Sequence, residues 1–151
     1  MINPIIPGFA PDPSVVKVGE WYYLVNSTFH IFPGPPIYAS QDLVSWKHLG
    51  PGNAINRQEQ LRLTQSRTNL VSLPESGEVM LASLYAPTIH FHNGTFYIVC
   101  TNLVHLTGDT PARAENLVIS TAGSWANNWC DPVSFEFNDI DPSLIFDDSK
   151  V

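Results

Sequence analysis

The stretch Asp12-Pro13-Ser14-Val15-Val16-Lys17-Val18-Gly19-Glu20-Trp21-Tyr22-Tyr23-Leu24 decides how this chain is read, because its pattern returns twice. Ala86-Pro87-Thr88-Ile89-His90-Phe91-His92-Asn93-Gly94-Thr95-Phe96-Tyr97-Ile98-Val99 lines up with it after one inserted residue, and Asp141-Pro142-Ser143-Leu144-Ile145-Phe146 opens a third copy. The shared order is a proline, a hydroxyl residue, an apolar strand, a turn, and a strand that starts aromatic-Tyr-apolar. The starts at Asp12, Ala86 and Asp141 lie 74 and 55 residues apart. Such periods suit four-stranded propeller blades with insertions. A blade buries its faces only against its neighbours, so two blades and the opening of a third leave apolar faces bare. Residues 1–151 therefore read as an incomplete propeller, whose remaining blades come from further sequence or from an assembly.

Composition agrees with an all-β chain. The 151 residues hold thirteen prolines, nine glycines, four tryptophans, five tyrosines and eight phenylalanines, with only 14% charged residues. That mixture favours short strands and turns over long helices. Seven basic residues against fourteen acidic ones give a net charge of −7, and no Lys/Arg cluster occurs, which disfavours nucleic acid and anionic membranes as partners. No apolar run approaches the roughly 20 residues of a membrane-spanning helix, and Met1-Ile2-Asn3-Pro4 lacks the basic and apolar regions of a signal peptide, so a cytoplasmic location is expected. Cys100 and Cys130 make no disulfide framework and read as buried or semi-buried thiols. The glycosylation sequon at Asn26-Ser27-Thr28 carries little weight, and the one at Asn93-Gly94-Thr95 is also a hairpin turn.

Residues 15–25 predict a hairpin turning at Gly19-Glu20. Asn26 to Pro36 holds too many breakers to be regular and predicts a loop presenting aromatic groups. Ile37–Ser40 and Trp46–Gly50 predict a second hairpin, which makes four sequential strands a meander. Asn56 to Leu70 reads equally as a long loop or a short helix, and a loop of that length would border a binding site.

Aspartate before proline is an ordinary turn starter, and a single Asp-Pro-Ser reads as nothing more. Two copies at the same point of a repeating unit read differently, since first strands of blades point their ends into a common channel. Asp12 and Asp141 are thus candidate catalytic carboxylates. Two carboxylates are the usual equipment of glycoside hydrolysis, one as general acid on the leaving oxygen and one as base or nucleophile. No Cys/His cluster has metal-ligand spacing, and there is no Gly-rich phosphate loop or Gly-x-Ser-x-Gly elbow. His90 and His92 read as a strand's solvent face plus one loop contact, and Asp147-Asp148 as a hairpin turn. Phe29, Phe32 and Tyr85, at loop positions near the repeat starts, are candidates to stack on sugar rings. Trp21, Tyr22, Tyr23, Phe96 and Tyr97 are expected in the core, and Trp46, Trp125 and Trp129 in packing between strands.

The motifs Asn3-Pro4-Ile5-Ile6-Pro7-Gly8-Phe9-Ala10-Pro11-Asp12-Pro13-Ser14, Ser27-Thr28-Phe29, Phe32-Pro33-Gly34 and Ser40-Gln41-Asp42-Leu43-Val44-Ser45-Trp46 resemble the opening of glycoside hydrolase family 43, the β-xylosidases and α-L-arabinofuranosidases. Tyr85-Ala86-Pro87-Thr88 and Ile140-Asp141-Pro142-Ser143-Leu144 resemble the next two motifs of that family. The resemblance implies a five-bladed β-propeller, of which these residues cover about two blades and the start of a third. It also implies an inverting hydrolysis of xylo- or arabino-oligosaccharides, with no cofactor. Asp12 would be the general base, Asp141 would tune and orient the general acid, and Phe29 would border the sugar subsite. No ligand set for a channel calcium can be read. Tyr85 stands where many members have tryptophan. The family's acid is a glutamate in a Glu-Gly-Pro motif, which is absent here: Glu20, Glu59, Glu75, Glu78, Glu115 and Glu136 do not match it. These residues alone are expected to be inactive. Two other readings are a propeller that binds carbohydrate without cutting it, and a levan- or sucrose-active relative; the Phe-Pro-Gly and Tyr-Ala-Pro contexts argue against the second.

Overall fold

The computed structural model describes residues 4–29, 31–49, 53–61, 69–73, 77–81, 83–104, 113–122, 128–137 and 139–147. Met1, Ile2, Asn3, Gly50, Glu75, Trp125 and Asp148, named above, lie outside them, as do residues 62–68 of the segment from Asn56 to Leu70. The first sheet is the predicted meander, built from β1 (Ser14–Val18), β2 (Trp21–Val25), β3 (Ile37–Ser40) and β4 (Lys47–His48) in that spatial order. The polar segment after it holds a short 3-10 turn at Gln58–Gln60, followed by the hairpin β5 (Asn69–Leu73) and β6 (Gly77–Leu81). A second antiparallel meander follows, with β7 (Ser83–His92), β8 (Thr95–Val104), β9 (Arg113–Ala122) and β10 (Val133–Phe135). Among the described residues no helix is long and apolar enough to cross a membrane.

The two leading hairpins are equivalent at a constant offset, without the inserted residue that the sequence suggests. Val18 pairs with Trp21 across Gly19-Glu20, and His92 pairs with Thr95 across Asn93-Gly94. Asn93 and Gly94 have φ of 46° and 78°, the left-handed pair that a tight I′ turn requires. The counterpart of Trp21 is therefore Thr95, not Phe96. Side chains alternate faces along a strand, so a slip of one residue exchanges inside for outside. This is why Trp21 is 42% exposed, against the expectation of a core residue, while Phe96 is 5% exposed. Tyr23 is half-buried and meets Phe96 edge-on, with ring centroids 5.1 Å apart.

The core lies between the two sheets. Val25, Ile37, Ile55, Leu84, Ile98, Cys100 and Ile119 are fully buried in one cluster, with Trp129 closing it as expected. Burial pushes the Cys100 thiol up to about 12, so it is an inert apolar filler. Cys130 is exposed, contrary to expectation, because the chain leaves the core immediately after Trp129 and turns the thiol toward the edge of β9, where the Ser120 N–H donates to it. The segment 143–147 forms no strand, although its apolar run predicts one. A strand exists through ladder bonds to a neighbour, and the Leu144 N–H is instead directed at a side chain, His90 Nε2, at 3.4 Å.

Two loop motifs acquire a physical reason. Gly34 exchanges backbone hydrogen bonds with Ile55, at 3.0 and 2.7 Å, and a Cβ on it would lie 2.2 Å from Thr28 Oγ1 and 3.1 Å from Thr28 Cβ. Gly34→Ala is expected to lower the free energy of unfolding by about 1–3 kcal/mol, read from the denaturant midpoint. Asp42 organises the β3–β4 loop: its Oδ1 accepts from the Ser40 hydroxyl and from the N–H groups of Val44 and Ser45. Those backbone bonds hold its carboxyl well below the usual range. A group depressed in the folded state stabilises above its unfolded value of about 4 and loses that contribution as the pH falls below it. Asp42→Asn is accordingly expected to destabilise at pH 7, with the difference from wild type shrinking as the pH is lowered from 5 toward 2.

Candidate active site

Asp12, Ala86 and Asp141, the three repeat starts, share one backbone conformation: φ is 53°, 37° and 59°. Each precedes a proline, a position normally driven toward extended backbone, so left-handed geometry here is strained and is held by its surroundings. In β7 the strain coincides with a bulge, where the Tyr85–Thr101 and Thr88–Val99 pairs leave Ala86 and Pro87 outside the ladder. Proline has no N–H to give a ladder, which is why it sits there.

The hydroxyl residues after the first two of these prolines have a structural task that sequence position alone does not reveal. Ser14 Oγ accepts from the Ile89 N–H at 3.1 Å, stitching the first repeat to the second. Thr88 Oγ1 donates to the Pro142 carbonyl at 3.0 Å, stitching the second to the third. Asp12 is exposed, and its Oδ2 accepts from Ser27 Oγ at 2.7 Å; Ser27 Oγ in turn accepts from the Ala86 N–H at 2.6 Å. Asp12 and Asp141 thus stand at successive ends of one hydrogen-bonded series of strand entries.

The approach to Asp141 is anchored from behind. Asn116 is 1% exposed, and its Nδ2 donates to the carbonyls of Phe137 and Asp139 while its Oδ1 accepts from Thr101 Oγ1. On the other side, His90 and His92 make the expected loop contact, with the third repeat, but it leaves both half-buried where a solvent face was expected. Thr88 and His90 point to the same side of β7, so the 142–146 segment that Thr88 holds also lies over the histidines. His92 stacks on Phe146 with centroids 4.3 Å apart, and partial burial pulls the His90 pKa below its ordinary value.

Phe29 and Tyr85 are brought together, with centroids 4.4 Å apart, and Phe29 also meets Phe9 at 5.3 Å. Exchanged backbone bonds between Phe29 and Leu84 fix this contact, so Tyr85 lies in a strand beside the bulge and not in a loop. Phe9, 63% exposed, escapes a reading based on repeats because it precedes the repeated unit. Phe32 is not part of this trio and packs against the core. Asn26 is 2% exposed with its Nδ2 on the Ser27 carbonyl, which overturns its sequon as an attachment site. Among the described residues, no group of three or more His, Cys, Asp or Glu could hold a metal ion. The arrangement can present one exposed carboxylate, fixed at one oxygen, beside an aromatic platform.

Comparison with known proteins gives a consistent picture. A non-reducing end α-L-arabinofuranosidase of Bacteroides ovatus is 38% identical over 149 residues, which are 99% of this chain and 25% of the relative. A xylan 1,3-β-xylosidase of a Vibrio species is 36% identical over 97% of this chain and 24% of its own length. The crystal structure of a family 43 protein from Bacillus licheniformis, a K247S mutant, superposes with a TM-score of 0.78 at 34% identity, covering 97% of this chain and 27% of that one. The chain spans about a quarter of the length of the curated relatives it matches. The family model for glycosyl hydrolases family 43 matches residues 1–151, and the chain belongs to that family.

Proposed function

We propose that these residues form about the first two blades and the opening of the third of a five-bladed β-propeller glycosidase that cleaves xylosidic or arabinofuranosidic bonds with inversion. Asp12 is the general base: its carboxylate takes a proton from the water that attacks the anomeric carbon. Asp141 sets the protonation and orientation of the general acid, a glutamate contributed by sequence outside the 151 residues. The observation that carries this reading is the pairing of an exposed, hydrogen-bonded Asp12 with the Phe9-Phe29-Tyr85 platform, on a backbone whose strain recurs at Asp141. Inverting hydrolysis places acid and base about 6.5–9.5 Å apart to admit the water, and no glutamate of the sequence stands in a Glu-Gly-Pro motif.

The substrates are short xylo- or arabino-oligosaccharides, and residues 1–151 alone are inactive. The test is hydrolysis of aryl β-xylosides and aryl α-L-arabinofuranosides by the enzyme expressed from the complete gene, with the anomer formed first followed by NMR. Release of the inverted sugar is expected, and release with retention would sink the mechanism. Sequence continuing beyond Val151 without a Glu-Gly-Pro segment would instead favour a propeller that binds carbohydrate without cutting it.

A further inference from the structure

We propose that Ser27 is a positioning residue for Asp12, an inference that rests on the reading of Asp12 as the base. A serine hydroxyl has one proton and two lone pairs. The Ala86 N–H can only donate, so Ser27 Oγ accepts from it at 2.6 Å, and the hydroxyl proton is left for Asp12 Oδ2 at 2.7 Å. Ser27 is 0% exposed and its own N–H is committed to the Pro11 carbonyl, at 3.0 Å, so the hydroxyl has no water to turn to. The direction of this two-bond relay is therefore imposed by the backbone.

Two consequences bear on the chemistry. The Ser27 donor occupies Oδ2, and it leaves Oδ1 to receive the proton of the attacking water. The relay also joins the start of the first repeat to the start of the second, Asp12 and Ala86, both of which have left-handed backbone. The strain at Ala86 thereby gains a use: it aims the amide at Ser27, which in turn holds the carboxylate rotamer. Ser27 does not reach the substrate in this role and acts only through Asp12.

In the full-length enzyme, Ser27→Ala is expected to lower kcat about 10–100-fold, as loss of a supporting partner does, with KM within about twofold of wild type. Ser27→Thr keeps the hydroxyl and is expected to recover most of kcat even where its methyl lowers the unfolding midpoint. The proposal is overturned if Ser27→Ala keeps wild-type kcat, if it raises KM alone, or if Ser27→Thr loses as much kcat as the alanine. Should the alanine variant not fold, Ser27→Cys, a weaker donor, is expected to show an intermediate kcat, and a wild-type value would overturn the role. Asp12→Asn is assayed in parallel. Its retaining full activity defeats the assignment of the base, whereas an inactive Asp12→Asn beside an unaffected Ser27→Ala defeats the role of Ser27 alone.

Discussion

Asp12→Asn in the full-length enzyme is expected to lower kcat by about 10²–10⁴-fold while KM changes little. Asparagine has the shape of aspartate and can still accept from Ser27 through its amide oxygen, so the Ser27–Ala86 relay survives and the substrate site keeps its form. What it lacks is a basic oxygen to take the proton from water. The loss is expected to be similar for aryl glycosides and for oligosaccharides, because activation of the nucleophile does not depend on the leaving group. Steady-state kinetics on both substrate types decide the matter, and a variant within a few-fold of wild type removes Asp12 from the base role.

Asp141→Asn should separate the other role by leaving group. A carboxylate beside a carboxylic acid disfavours ionisation of that acid, so removing its charge lets the acid lose its proton at lower pH. The basic limb of the pH–rate profile should move downward, and kcat on oligosaccharides at neutral pH should fall about 10–100-fold. Aryl substrates with good leaving groups need little protonation and should lose much less. Equal losses on both substrate types would assign Asp141 to holding the fold. That outcome has a physical basis in the structure, since Asp141 sits in a left-handed turn whose approach is gripped by Asn116 and whose following residue is gripped by Thr88.

Much of this arrangement is legible in the sequence, for particular reasons. The first meander follows from alternation and turn residues within about 35 residues, and local pairing of that kind needs no distant information. The equivalence of Asp12, Ala86 and Asp141 is visible because proline and a hydroxyl residue recur after each, and the same left-handed backbone at all three gives that recurrence a common geometry. The family resemblance rests on the same motifs, with Phe-Pro-Gly explained by the closeness of Thr28 to Gly34 and Ser-Gln-Asp-Leu by the bonds that Asp42 accepts.

Other features are invisible along the chain because they join residues far apart in it. Ser27 stands in an unremarkable Asn-Ser-Thr, and only the fold gives its hydroxyl both partners, Asp12 and the Ala86 N–H, the latter 59 residues away. Phe9 joins Phe29 and Tyr85 across three separate segments. Trp21 shows the opposite failure, since aligning aromatic with aromatic is sensible chemistry but ignores the constant two-residue turns that set the register. Similarly, His90 and His92 look like a polar strand face until the third repeat lies over them.

The sequence by itself thus determined the all-β class, the repeating entry and the family, because these are written in short-range pattern and residue type. The tertiary structure alone decided which faces are inside, which hydroxyl holds Asp12 and which aromatics form the platform. Those outcomes depend on strand register and on packing of one sheet against the other, and both are settled only when distant segments compete for the same few hydrogen bonds and the same buried volume.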